Sequence, residues 1–163
     1  MNIKEARTLA IKLMDKHLGT DREWKFKFDN AKVRFGRCSW GSKGKWVSIS
    51  KHLTSLNDLA QVKDTILHEI AHALDVEERG FSNHDANWTR IAKSIGCNGE
   101  RCYSSKEVKQ PKAKYTVKCN NCKKEQPKHR KPRRTSSACG ACCNKYNGGQ
   151  YTDKFKLVYI QNY

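Results

Sequence analysis

One short segment, His68-Glu69-Ile70-Ala71-His72, places two histidines four residues apart with a glutamate directly after the first. On an α-helix these histidines lie roughly 40° apart in projection and about 6 Å apart along the axis, so one metal ion can accept a nitrogen atom from each. Glu69 is turned about 60° away from His72, where its carboxylate can reach a metal-activated water but is not itself a ligand. This HExxH pattern predicts a zinc site that hydrolyses amide bonds, with Glu69 as the general base.

A catalytic zinc ion takes three protein ligands, so a third must follow His72. Glu77 and Glu78 belong to the same predicted helix but do not lie on the face of the two histidines. His84 comes after the predicted end of that helix, where the chain can fold back toward the metal. We therefore expect His84 to be the third ligand, and Asp85 beside it is the remaining candidate.

A second group of metal-binding residues follows later in the chain. The pairs Cys119-x2-Cys122 and Cys139-x2-Cys142 are separated by 16 residues, a spacing typical of a tetrahedral structural zinc site. Cys143 adjoins Cys142, and the x2 spacing favours Cys142 as the ligand. The metal would supply folding energy that so short and polar a segment cannot obtain from a core. The remaining cysteines, which we expect to be buried free thiols rather than a second site, are Cys38, Cys97 and Cys102.

The positive charge of the chain is concentrated at its C-terminal end. The net charge is +17 over 163 residues, and residues 101–163 hold 16 Lys and Arg against 3 Asp and Glu. Residues 51–100, which contain the HExxH segment, are net acidic. This asymmetry predicts one segment for chemistry and another that binds a polyanion. The basic residues expected to contact DNA lie on a loop between the cysteine pairs: Lys123, Lys124, Lys128, Arg130, Lys131, Arg133 and Arg134.

Aromatic residues near that basic loop can stack on nucleic-acid bases or pack the strands of the cysteine-bearing segment, and the sequence leaves both alternatives open. These residues are Tyr115, Tyr146, Tyr151, Phe155 and Tyr159.

The elements that position these residues follow from hydrophobic periodicity. Alternating apolar and polar residues predict three short strands in a small antiparallel sheet, whose last strand can serve as an exposed edge for an extended substrate. Three-to-four spacing of apolar residues predicts three helices. The predicted strands are Trp24–Phe28, Ala31–Cys38 and Trp46–Ser50, and the predicted helices span residues 2–19, Thr54–Arg79 and 83–96.

Composition excludes several classes of protein. Hydrophobic residues make up 37% and charged residues 30%, which is typical of a soluble, folded chain. No apolar run approaches the roughly 18 residues of a membrane span. The first helix lacks the uninterrupted apolar region of a signal peptide. We expect a cytoplasmic, monomeric protein that is not secreted, comes from a bacterium or from a virus-infected host cell, and binds no membrane.

The order of these features resembles the SprT-like metalloproteases, the family of bacterial SprT and eukaryotic Spartan. The resemblance rests on AKVRFGRCSW, WVSIS, DTILHEIAHALD and SNHDANWTRIAKSIG, followed by the two cysteine pairs. It covers about residues 24–143. It departs from the family at Asp85, where a small residue is usual, and at Cys143, where glycine is common.

The resemblance implies a zincin-like α+β domain, with helices packed on a three-stranded sheet, followed by a C-terminal zinc ribbon. We expect a metalloprotease domain over residues 1–105, a basic linker over 106–118 and a DNA-binding ribbon over 119–163.

The resemblance also implies two zinc ions. One is catalytic, on His68, His72 and His84 with Glu69 as the base, and one is structural, on the four cysteines. The implied function is a DNA-dependent endopeptidase for DNA repair, which cleaves proteins crosslinked or tightly bound to single-stranded or junction-containing DNA. The alternative is a nucleic-acid-binding zinc-ribbon protein whose HExxH site is structural or inactive.

Overall fold

The computed structural model describes residues 1–100, 108–132 and 137–163. The chain forms two compact units, Met1–Pro111 and Lys112–Tyr163, so the predicted linker 106–118 spans the division between them. Among the described residues, no helix combines the length and the apolar composition needed to cross a lipid bilayer. The first unit contains α1 (Ile3–Leu18), β1 (Lys25–Asp29), β2 (Gly36–Ser39), β3 (Trp46–Ser50), α2 (Lys51–Leu56), α3 (Leu59–Arg79) and α4 (Ala86–Ser94). The second contains β4 (Tyr115–Cys119), β5 (Glu125–Lys128), α5 (Gly140–Tyr146), a 3₁₀ turn (Asp153–Phe155) and β6 (Leu157–Gln161).

The sheet of the first unit is mixed, which corrects the antiparallel prediction. Its strand order is β1-β3-β2, with β3 parallel to β1 and antiparallel to β2. The chain between β1 and β2 crosses the end of β3, where Ser50 donates its backbone N–H to Phe35 and its hydroxyl to the carbonyl of Ala31. Strand β3 is therefore central, and the prediction that Trp46–Ser50 forms an exposed edge is wrong. The edge strand near the histidines is β2.

The long helix predicted over Thr54–Arg79 is two helices. Asn57 interrupts it, because its side chain is buried and donates to the carbonyl oxygens of Leu53 and Lys109. Asp58 then starts α3 with a capping box that includes Gln61. The predicted third helix also begins later, at Ala86, because Asp85 caps it by accepting from the backbone N–H of Trp88.

Helix α3 runs through the middle of the first unit and carries the HExxH segment. Its apolar face packs against α1, α4 and the inner side of the sheet. Ile66, Ile70 and Ala73 are fully buried there as predicted, whereas Leu59 at the helix start is exposed. The opposite face, with His68 and His72, is left to line a cleft.

The second unit is a small antiparallel sheet with strand order β5-β4-β6 and a short helix. Phe155 packs with Cys119, Cys139, Cys142 and Cys143 to form its small core. The α+β class predicted from the sequence is confirmed for the two units.

Candidate metal centres

Three histidine side chains converge at the floor of the cleft. Nε2 of His84 lies 3.1 Å from Nε2 of His72 and 3.0 Å from Nε2 of His68. Two ligands at about 2.05 Å from a tetrahedral zinc ion lie roughly 3.3 Å apart, so the three nitrogen atoms are spaced to share one ion. The other third-ligand candidates are engaged elsewhere. Glu77 accepts from Trp24 and Lys45, Glu78 pairs with Arg90, and Asp85 caps α4 and pairs with Arg79.

A hydrogen-bonded chain behind His72 fixes which of its nitrogen atoms faces the cleft. Nδ1 of His72 lies 2.8 Å from the hydroxyl of Ser82, which donates to the carboxylate of Asp75. Because the Ser82 hydroxyl donates its hydrogen to Asp75, its oxygen atom accepts a hydrogen bond from Nδ1–H of His72. Nε2 therefore keeps its lone pair for a metal, which is the usual role of the second shell at a zinc site.

The carboxylate of Asp75 is fully buried and joins three parts of the unit. Arg79 donates to both of its oxygen atoms at 2.8 and 2.7 Å, and Asn87 of α4 donates at 2.8 Å. Burial raises the pKa of Asp75, but the hydrogen bonds from Arg79, Ser82 and Asn87 outweigh it, so the pKa lies below its usual value. Asp75 thus ties α3 to α4 and to the loop that carries His84.

Trp88 packs against all three imidazoles. Its ring centroid lies 4.7 Å from that of His68, 5.1 Å from that of His72 and 4.5 Å from that of His84, and its side chain is fully buried. Burial together with the neighbouring imidazoles lowers the pKa of His68 to about 4 and that of His72 to about 3. Both rings are therefore neutral at pH 7, as metal ligation requires.

Glu69 lies on the buried side of the histidines, against β2. Its carboxylate accepts from the backbone N–H of Cys38, and burial raises its pKa to about 8. A Cβ atom at Gly36 would lie 2.7 Å from Cγ and 2.9 Å from Cδ of Glu69, closer than side chains approach one another. The glutamate therefore occupies space that exists only because residue 36 has no side chain.

The second metal centre is formed by Cys119, Cys122, Cys139 and Cys142, whose sulfur atoms lie within 4.8 Å of one another. Sγ of Cys119 is 3.8 Å from that of Cys142, and Sγ of Cys122 is 3.8 Å from that of Cys139. Thiolates at about 2.3 Å from a tetrahedral zinc ion are roughly 3.8 Å apart, so the four sulfur atoms fit that ion. The backbone N–H of Cys122 lowers the pKa of Cys119 to about 7, which favours the thiolate. Cys143 is buried outside this cluster.

A family model for the SprT-like family matches residues 7–112, well over half of the chain. The chain belongs to the SprT-like family. The resemblance inferred from the sequence is thereby confirmed, and the family is one of zinc metalloprotease-type domains. The matched span includes the three histidines and Glu69 but not the four cysteines. No curated protein sequence matches the chain significantly.

The cleft of this SprT-like domain has a volume of about 630 Å³. One wall is the segment from Val33 to Cys38, which includes the start of β2, and Trp40 extends that wall. Thr65 and Asp64 of α3 and Asn98 and Glu100 beyond α4 line the rest. Among the described residues β2 pairs only with β3, so its other edge is available on the cleft side.

The basic segment of the second unit is partly a strand, because Glu125–Lys128 form β5 rather than a loop. Five of the predicted DNA contacts are exposed: Lys123, Lys124, Lys128, Arg130 and Lys131. Arg133 and Arg134 lie outside the described residues, as does Cys102. Cys97 is buried and Cys38 is half-buried.

The five aromatic residues differ in burial. Phe155 is buried against the cysteines, whereas Tyr146 and Tyr151 are exposed. Tyr115 and Tyr159 are half-buried and contact each other edge to face at 6.5 Å.

Sequence reasoning missed Gly36, Ser82, Asp75 and Trp88 as residues that shape the histidine site. HExxH spacing reveals ligands on one helix but not the residues that other elements bring behind them. Of these four residues, only Trp88 could have been found from the sequence, because it follows the predicted ligand His84 by four residues.

Proposed function

We propose that this protein is a zinc-dependent endopeptidase of zincin-like fold, which cleaves proteins crosslinked or tightly bound to DNA. The observation that carries the proposal is the convergence of Nε2 of His68, His72 and His84 beside the buried carboxylate of Glu69. Neutral imidazoles spaced for one ion fit zinc, and three protein ligands leave a position for water. Zinc bound there would supply Lewis-acid activation of that water and of the scissile carbonyl.

Glu69 is the residue that moves the proton. Its carboxylate would accept a proton from the attacking water and deliver it to the departing amine. The N–H of Cys38 and the backbone of Gly36 hold this carboxylate in one place. Burial excludes competing water molecules from its inner side, and a cation in the cleft would lower its pKa so that it is ionised at neutral pH.

The free edge of β2 would orient the substrate. An extended peptide can pair with an exposed strand edge through backbone hydrogen bonds, which hold it irrespective of sequence. The edge of Gly36–Ser39 lies along the cleft that contains the histidines. This assignment transfers to β2 the role that the sequence had suggested for β3.

DNA dependence is supported by the charge of the second unit. The exposed Lys123, Lys124, Lys128, Arg130 and Lys131 would contact phosphates, and the cysteine-bound zinc would fix the strands that carry them. The four cysteines support a structural zinc ion in the second unit, and the three histidines beside Glu69 support a catalytic one in the first.

The test is cleavage of a DNA-binding protein, with and without single-stranded DNA, by wild type and by Glu69→Gln. Glu78→Gln is the matched control, because Glu78 lies on the same helix but is exposed and pairs with Arg90. We expect cleavage that requires DNA and falls at least 100-fold in Glu69→Gln only.

Two other outcomes would replace the proposal. If the protein binds DNA but wild type cuts nothing, including itself, it is a nucleic-acid-binding module with a structural or inactive HExxH site. If cleavage is equal with and without DNA, it is a general peptidase. Full zinc occupancy and activity in His84→Ala would show that His84 is not a ligand.

A further inference from the structure

The outer face of the sheet in the first unit gathers cations around a tryptophan. Lys25 pairs in register with Trp46 across β1 and β3, and Lys27 and Arg37 both pair with Ser48 from either side. Paired residues on neighbouring strands point to the same side of a sheet, so these side chains share one face. We call Lys25, Lys27, Arg37 and Trp46 the cationic sheet face. The opposite face is the inner one, with Phe26, Val47 and Ile49 in the core.

Three of the cations on this face have no acidic partner among the described residues. Asp29 shares the face by its register with Ser50, but it is ion-paired with Arg34 and accepts from the Ser48 hydroxyl. Nζ of Lys27 lies 4.3 Å and Nζ of Lys25 lies 5.8 Å from the ring centroid of Trp46. Lys25, Lys27 and Arg37 are all exposed. Within the described parts of the chain, no carboxylate lies within ion-pair distance of these three, whereas nearby Lys45 contacts both Glu23 and Glu77. The face therefore holds concentrated positive charge over an aromatic ring.

We propose that the cationic sheet face binds single-stranded nucleic acid. Lys25, Lys27 and Arg37 would contact consecutive phosphates. Trp46 is half-buried, and a base would stack on its indole by displacing Lys27 from the ring toward a phosphate. A single strand is favoured over a duplex because its bases are exposed for stacking and a flat sheet offers them a platform. This surface belongs to the metalloprotease unit and goes beyond the basic segment of the second unit, on which its binding does not depend.

Strand β2 connects this face to the cleft. Arg37 projects with the cationic sheet face, while its neighbours Gly36 and Cys38 contact Glu69. Arg37 and Trp40 also line the cleft, and the Trp40 side chain is 41% exposed. Nucleic acid on this face would lie at the rim of the cleft, so a protein attached to it would be held beside the histidines.

The test is binding of fluorescein-labelled oligo(dT) to the full chain, measured by fluorescence anisotropy over a series of salt concentrations. The test variant is Lys25→Gln/Lys27→Gln/Arg37→Gln. The control is Lys4→Gln/Lys12→Gln/Lys16→Gln, which removes the same charge from exposed positions on α1. We expect the test variant to bind at least about tenfold more weakly and to lose roughly 2 units of salt slope, since each phosphate contact on a single strand contributes about 0.7. The control should retain most of the wild-type slope.

A second variant pair tests the stacking. Trp46→Leu should weaken oligo(dT) binding by about fivefold or more, whereas Trp46→Phe, which keeps an aromatic ring, should lose less. Photocrosslinking with an oligonucleotide that contains 5-iodouracil should label Trp46 or Trp40. Zinc content and circular dichroism of each variant show whether it is folded.

The outcomes separate this inference from the proposed function. If the test variant and the control bind alike while Lys124→Gln/Lys128→Gln/Lys131→Gln loses binding, the inference is overturned and the DNA contacts of the second unit stand. If wild type binds no oligonucleotide, both DNA assignments fail, and peptide cleavage remains to be judged separately. If the test variant loses binding to phosphatidylserine vesicles and keeps oligo(dT) binding, the face is a lipid-binding surface, and the inference is also overturned.

Discussion

At the scale of single residues, the position of the Glu69 carboxylate depends on the side chain that residue 36 lacks. The Glu69 carboxylate fills the space beside the Gly36 backbone and accepts from the N–H of Cys38. The backbone at Gly36 is ordinary extended strand, so glycine is needed there for space and not for its conformational freedom. A side chain at residue 36 would therefore displace the Glu69 carboxylate and leave the strand intact.

We predict that Gly36→Ala separates metal binding from catalysis. The added methyl group would push the Glu69 carboxylate away from Cys38, while the three histidines belong to α3 and the loop after it. Peptide cleavage should fall about 100-fold, which is what loss of a general base typically costs, and zinc content should stay at the wild-type value. Metal analysis and peptide cleavage on the same preparation check both parts.

Gly140→Ala is the matched control for that substitution. Gly140 has no positive φ, and no atom lies within 4 Å of the position its Cβ would take. This variant should cleave like wild type. If Gly36→Ala is as active as the control, Glu69 is not held by the space at residue 36.

At the scale of elements, the histidine site is assembled by contacts between α3, the following loop and α4. Asp75 on α3 accepts from Asn87 on α4 and from Ser82 in the loop, and Ser82 supports His72. Gly80 lets the chain turn, because its φ of 77° is in the left-handed region and caps α3. The third histidine is thus positioned by polar contacts that originate one turn beyond His72.

We predict that Asp75→Asn weakens zinc binding at the histidine site. The change removes the negative charge that orients Ser82 and Arg79, so the ring of His72 loses its fixed orientation. Loss of a second-shell partner commonly costs 10- to 100-fold in metal affinity, and we expect a loss in this range. Competition with a fluorescent zinc chelator measures it. Glu78→Gln is a suitable control because Glu78 also lies on α3 but is exposed and pairs with Arg90, outside this chain of hydrogen bonds. Equal zinc affinity in both variants would contradict the prediction.

Asp75 should also make the stability of the first unit depend on pH. Its pKa is lower in the folded state than in the unfolded chain, so its contribution is fully present above the unfolded value and is lost as pH falls through the folded value. The difference in urea midpoint between wild type and Asp75→Asn should be largest near pH 7 and should shrink below about pH 4. Unfolding followed by tryptophan fluorescence in chelator reports this, because Trp24, Trp40, Trp46 and Trp88 all lie in the first unit. A difference that is constant with pH would exclude this role.

The elements show which features the sequence encodes locally. The helix spacing predicted that His68 and His72 share a face of α3, and cysteine spacing predicted the second cluster, because both depend on residues close in the chain. The order of strands was not predictable in this way. The placement of β3 between β1 and β2 depends on Ser50 holding the crossing chain, and neither hydrophobic alternation nor turn residues indicate that contact. For the same reason the sequence predicts the exposed edge on β3, whereas the structure has it on β2.

At the scale of the whole molecule, the two metal centres differ in how they depend on the surrounding fold. His68 and His72 lie on α3 and His84 lies in the loop after it, in a unit packed around a core of leucine, isoleucine, valine and aromatic side chains. The core of the second unit consists of Phe155 and the cysteines themselves, so its packing depends on what holds those sulfur atoms together. Binding energy at such a thiolate cluster is largely folding energy. The first unit should therefore be stable without its metal, and the second should not.

Removal of zinc should unfold the second unit and leave the first folded. With a strong chelator, tryptophan emission should stay at its folded wavelength, since all four tryptophans lie in the first unit. Trypsin should then cut rapidly at the many lysines after Pro111 and leave a stable N-terminal fragment.

Cys119→Ser should show the same digestion pattern without chelator and bind one zinc ion instead of two, because it loses one of four thiolates. His72→Ala should also lose one zinc ion yet keep the second unit resistant to trypsin. If chelation instead shifts tryptophan emission and exposes the whole chain to trypsin, the histidine-bound ion is structural. That result would favour the nucleic-acid-binding alternative.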